Sequence, residues 1–80
     1  MILEYIEGHL VDLAPNRAVI INAKKDFLKL LKENQIKKND RDVNSKIILG
    51  IFSKHGINRT RDELVIVSQK IAKQIDEWRV

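Results

Sequence analysis

Apolar residues recur every three or four positions in four separate runs along the chain. In the first run Leu3, Ile6, Leu10 and Leu13, with Ile2 and Ala14 beside them, fill an arc of roughly 120° on a helical wheel, the width of a core-facing stripe. Glu4, Glu7 and Asp12 lie off that arc. Pro15 ends the run, because the residue before a proline avoids the α region. Asn16 is a cap for a second helix, in which Val19, Ile20, Ala23, Phe27, Leu30 and Leu31 share one face. Ile21 and Leu28 sit at the margin of that face, and Lys25, Lys29 and Lys32 line the opposite one at i, i+4 and i+7. The β-branched run Val19-Ile20-Ile21 favours a strand, but the stripe continues to Leu31 and carries the helix with it.

A polar connection over 35–42 follows, with Asp42 placed to cap a third helix from Val43 to His55. Its apolar set is Val43, Ile47, Ile48, Ile51 and Phe52. Gly56 stands where a left-handed residue closes a helix, and Ile57 stands where the accompanying apolar contact to Phe52 is made. Thr60-Arg61-Asp62-Glu63 reads as a capping box, with the Thr60 hydroxyl on the Glu63 N–H and the Glu63 carboxylate reaching back to the Thr60 N–H. The fourth helix then shows Leu64, Val67, Ile71, Ile75 and Trp78 on one face, with Val65 and Ala72 beside it. The pattern predicts a single all-α domain over residues 1–80, with helices at 2–13, 17–34, 43–55 and 60–79 around one core.

Composition narrows the class. Apolar residues make up 44% of the chain and charged ones 32%, which suits one small folded core and argues against wholesale disorder. There is no cysteine, hence no disulfide and no thiolate for metal or catalysis. No stretch approaches the ~20 apolar residues of a spanning helix, and the acidic opening does not read as a secretory signal. The expectation is a soluble, cytoplasmic protein without membrane attachment. The formal charge of +4 is uneven. Residues 23–61 hold eight Lys and three Arg against Asp26, Glu33, Asp40 and Asp42, a net of +7. The flanking segments are both slightly acidic. Such a basic block suits an anionic partner, and nucleic acid is the usual one.

Catalysis finds little material, and the expectation is a non-enzymatic chain without a cofactor. His9 and His55 have no companion at metal-ligand spacing. His55 reads as a surface residue at a helix C-terminus, where its partial charge is welcome, and His9 as a boundary residue. Asp62/Glu63 and Asp76/Glu77 are adjacent pairs that diverge by about 100° on a helix, so neither is an acid/base couple. No phosphate-cradling loop or nucleophile elbow occurs.

The segment Ile48-Leu49-Gly50-Ile51-Phe52-Ser53-Lys54-His55-Gly56-Ile57-Asn58-Arg59-Thr60-Arg61, with the helix after it, resembles a helix-turn-helix in outline. Gly56 followed by Ile57 matches that family's turn. Phe52 departs from it, since a small residue usually lets the helices approach there, and Asp62 stands where the second helix normally carries an apolar side chain. The resemblance implies Arg59, Arg61 and Gln69 at the DNA, with Lys54 on a phosphate. The stripe of Lys25, Lys29 and Lys32 is a second candidate for phosphates. Of the two, the turn is the favoured site for nucleic acid, because the start of the fourth helix adds its own donors and dipole, although Asp62 and Glu63 place negative charge at the same end. A further segment, Glu4-Tyr5-Ile6-Glu7-Gly8 with Pro15 and Ala18-Val19-Ile20, is similar to the opening strand pair of the junction-recognition subunit of the bacterial branch-migration motor. Nothing downstream continues that family's barrel or its helix-hairpin-helix motifs. That similarity implies a β-hairpin over 3–21 followed by three helices, an α+β alternative to the all-α fold. Ile66, Leu49 and Tyr5 stand off the core stripes and are the candidates for a protein-partner or homodimer surface, the basis of a competing reading as a protein-interaction module.

Overall fold

The computed structural model describes residues 2–33 and 40–78. Four helices account for most of them: α1 (Ile2–Leu13), α2 (Arg17–Lys32), α3 (Arg41–Lys54) and α4 (Arg61–Trp78). The described residues contain no strand. Residues 3–21 therefore form the end of one helix pair rather than a β-hairpin, and the α+β alternative falls. The expected end of α2 at Asn34, most of the 35–42 connection and Arg79 lie outside the described residues.

Local chemistry sets the boundaries. Pro15 follows the last turn of α1, and Asn16 caps α2 by accepting the Val19 N–H at 3.1 Å. The start of α3 falls two residues earlier than the pattern indicated. Asp40, not Asp42, is its cap, accepting the Val43 N–H at 3.3 Å, which leaves Asp42 in the first turn against the positive end of the helix dipole. Two aspartates two residues apart offer the same cap, and periodicity alone does not choose between them. At its other end α3 closes in a Schellman motif. Gly56 has φ +67°, its N–H reaches Ser53 O at 3.1 Å, and the Ile57 N–H reaches Phe52 O at 3.0 Å. Ile57 and Phe52 are both buried. Thr60 caps α4 through the Glu63 N–H at 3.3 Å. The Glu63 carboxylate takes the Thr60 hydroxyl at 3.1 Å and Arg59 Nε at 3.0 Å, in place of the backbone N–H that a full capping box would give it.

Each helix packs on its sequence neighbours, and α1 closes the ring against α4. Thus α1 faces α3 across the core, and α2 faces α4. Neighbours run antiparallel. Glu7 of α1 pairs with Lys24 of α2, Asp26 of α2 meets His55 at the end of α3, and Arg41 at the start of α3 meets Asp76 near the end of α4. The core is Ile2, Ile6, Leu10 and Leu13 from α1, Ala23 and Phe27 from α2, Ile48, Ile51 and Phe52 from α3, Ile57, and Ile71, Ala72 and Ile75 from α4. The Phe27 and Phe52 rings meet edge to face at 6.2 Å.

The pattern misplaced the inner faces of α3 and α4 in the same way. Asn44, Ser68 and Asp76 are buried, whereas Val43 is 40% and Trp78 50% exposed. At 100° per residue, the buried face of α4 is rotated roughly 70° from the Leu64-Val67-Ile71-Ile75-Trp78 stripe, toward Ser68, Ala72 and Asp76. The α3–α4 contact is the reason. With Arg41 opposite Asp76, Ala72 falls near the level of Asn44 and Ser68 near that of Ile48. Helices in close contact over such length need small side chains between them. Trp78, at the margin and in the last turn, is left outside. No described helix is long and apolar enough to cross a membrane.

Candidate nucleic-acid interface

A helix-turn-helix presents its second helix by crossing the first at about 90–120°. Here the hydrogen-bonded turn at one end and the Arg41–Asp76 pair, Nε to Oδ2 at 2.8 Å, at the other hold α3 and α4 side by side along their lengths. The outline in the sequence is met by the turn but not by the crossing. Phe52, too large for the close approach that motif needs, instead fills the core against Phe27.

The turn's cations consequently do not form one surface. Lys54 points toward α2, with Nζ 3.1 Å from Asp26 Oδ2. Arg59 pairs with Glu63. Arg61 opens α4 and lines, with Arg59, Thr60, Leu49, Ile57 and Leu64, a groove of about 790 Å³. Gln69 lies elsewhere, in a groove with Ser45, Ile66 and Lys73. Hydrogen bonds from Arg59 and then Thr60 hold the Glu63 carboxyl below its ordinary range. That carboxylate, with Asp62 beside it, opposes an anion at this helix end. Of the apolar candidates, Ile66 is 52% exposed, while Leu49 and Tyr5 are half-buried and pack against the core. The Tyr5 ring also meets His9 edge-on at 4.9 Å.

The lysines of α2 are disposed differently. Ala23 and Phe27 turn inward, so Lys25, Lys29 and Lys32 stand on the opposite side, all exposed. None of the three has an ion-pair partner among the described residues. The row spans about 10 Å at 1.5 Å per residue. Lys29 and Lys54 also line a groove between α2 and α3 of about 260 Å³, over Gly50. The carboxylate in that groove, Asp26, is already occupied. His55 Nε2 lies 2.6 Å from its Oδ2, and this bond, then Lys54, holds the Asp26 carboxyl below its ordinary range. His55 is thus not the surface residue its position suggested. Its side chain is 14% exposed and ties α3 to α2. Lys46, exposed one turn from Gly50 on α3, adds a cation that sequence reading had not singled out.

Among the described residues no three His, Asp or Glu side chains gather as a metal set. No protein family, curated protein or solved structure matches this chain.

Proposed function

We propose that this protein is a non-enzymatic module that binds duplex nucleic acid through the outer face of α2. The observation that supports the reading is the row of Lys25, Lys29 and Lys32, turned away from the core and unpaired among the described residues, beside a groove whose carboxylate is already neutralised. Lysines are compact point charges that match phosphates without a fixed geometry. The three lysines contact the backbone without regard to sequence, and Asn22, exposed one turn before Lys25 on the same side, is the amide that stands beside them. Phe27 is buried and α4, with Trp78, stands across the core. The face therefore offers no stacking platform, and duplex is preferred to single strand.

Binding of a random duplex at several salt concentrations tests this. Three phosphate contacts contribute about 2.7 to the slope of log K against log salt. Replacing Lys25, Lys29 and Lys32 with Ala lowers the slope by about that amount, while Arg59→Ala with Arg61→Ala changes it by less than one unit. A parent that binds no duplex at about 50 mM salt refutes the reading and favours the protein-interaction module. Loss on changing the two arginines alone moves the site to the turn.

A further inference from the structure

We infer that α2 is a recognition helix: it enters the major groove of a duplex by its first half, with Asn22 on an adenine edge and Ile21 against a thymine methyl. The inference rests on the duplex reading above and names what that site prefers. At 100° per residue, Ala18, Ile21, Asn22, Lys25, Lys29 and Lys32 fill one arc of about 100°, opposite Ala23 and Phe27. All six are exposed. The two halves of this arc differ. Lys25, Lys29 and Lys32 hold the second half, and Ala18, Ile21 and Asn22 leave the first half without charge. A face that only tracked phosphates would carry cations along its whole length. Here Ile21 stands 46% exposed in their place. Asparagine is a poor helix former, yet Asn22 lies inside α2. Its amide has no hydrogen-bond partner among the described residues.

The chemistry of the base edges selects the pair. Adenine shows the major groove an N6 amino donor and an N7 acceptor, which match the Oδ1 acceptor and the Nδ2 donor of one asparagine amide. Thymine shows a methyl group, which suits Ile21 and, at shorter reach, Ala18. A G·C pair offers neither that donor and acceptor together on its purine nor the methyl. Asn22 and Ile21 stand at the two margins of the arc, so each addresses a different strand. The nearest carboxylate does not oppose this pose. Asp26, one turn beyond Asn22 on the α3 side, is held by His55 at 2.6 Å and Lys54 at 3.1 Å. A helix that enters by its first half carries Lys29 and Lys32, about 10 and 15 Å farther along its axis than Asn22, out to the phosphates at the rim.

Fluorescence anisotropy with alternating A·T, G·C and inosine·C duplexes of equal length, at one fixed salt concentration, tests the proposal. The inosine·C duplex combines the minor-groove edges of A·T with the major-groove edges of G·C, so it separates the two grooves. The parent binds the A·T duplex about tenfold more tightly than either of the others. Asn22→Ala reduces that preference to less than about twofold and keeps the salt slope of the parent. Its thermal melt is no lower, because alanine favours the helix. Equal affinity of the parent for all three duplexes overturns the inference and leaves the phosphate reading standing. A preference that the inosine·C duplex shares, or one that survives Asn22→Ala, overturns it as well. A parent that binds none of the three refutes the duplex reading and this inference with it.

Discussion

Replacing Gly56 by Ala isolates the energy of one dihedral angle. Gly56 has φ +67°, and a Cβ placed on it meets nothing within 4 Å, so the cost is conformational and not a clash. An L-residue in the left-handed region costs about 1–2 kcal/mol. The stiffer unfolded chain returns about 0.4–1 kcal/mol of that. The net is a destabilisation of about 0.5–1.5 kcal/mol, since the alternative is to abandon the two turn hydrogen bonds to Ser53 and Phe52. A chain of this size loses about 4–8 °C in Tm per kcal/mol, so the expected drop is about 3–10 °C. Gly50→Ala is the control. Its Cβ also meets open space, but Gly50 lies inside α3 with φ outside the positive range. There Ala gains about 0.5–1 kcal/mol and raises Tm by about 3–6 °C. Thermal melts followed by helix circular dichroism read both. Equal signs for the two variants, or a Gly56→Ala chain that melts with the parent, would refute the reasoning.

Ile75→Ala empties a fully buried site, costs about 2–5 kcal/mol and unfolds much of a small domain, whereas Trp78→Ala, at a half-exposed position, lowers Tm by only a few degrees. Comparable losses in the two melts would return Trp78 to the core. Acid unfolding proceeds in two windows. Burial first and the Lys70 charge second lower the His9 pKa, with Asp12 opposing, so the folded chain resists protonation there and stability is lost as pH falls below about 6.5. Asp26, lowered by His55 and Lys54, contributes stability above about pH 3.8 that is lost on further acidification. Denaturant midpoints against pH should lose the upper step in His9→Gln and the lower one in Asp26→Asn, and unchanged profiles would exclude these groups.

Much of the fold was legible because stripes and caps are local. Ile6 and Leu10, Ala23 and Phe27, and the Gly56-Ile57 closure each follow from residues a turn apart. What failed was the facing of α3 and α4. Hydropathy treats Ser68, Asn44 and Asp76 as outward, yet helices held close together need small residues at the contact, and Arg41 gives the buried Asp76 a counter-charge from a distant part of the chain. The interface had a different obstacle. Lys54 and Arg59 count as cations in any sequence sum, and only packing shows Asp26 beside Lys54. The Arg59–Glu63 pair, at i and i+4, was open to local reasoning.

The α3–α4 pair, pinned by a Schellman turn at one end and a partly buried ion pair at the other, has consequences for the order of assembly. Both the turn and the ion pair are made within the second half of the chain, so neither waits on residues from the first half. Sliding α4 by one turn would bring Leu64 or Ile71 to the level that the smaller Ser68 occupies and would strand Asp76 without its guanidinium. Mis-registered hairpins are thereby penalised at both ends.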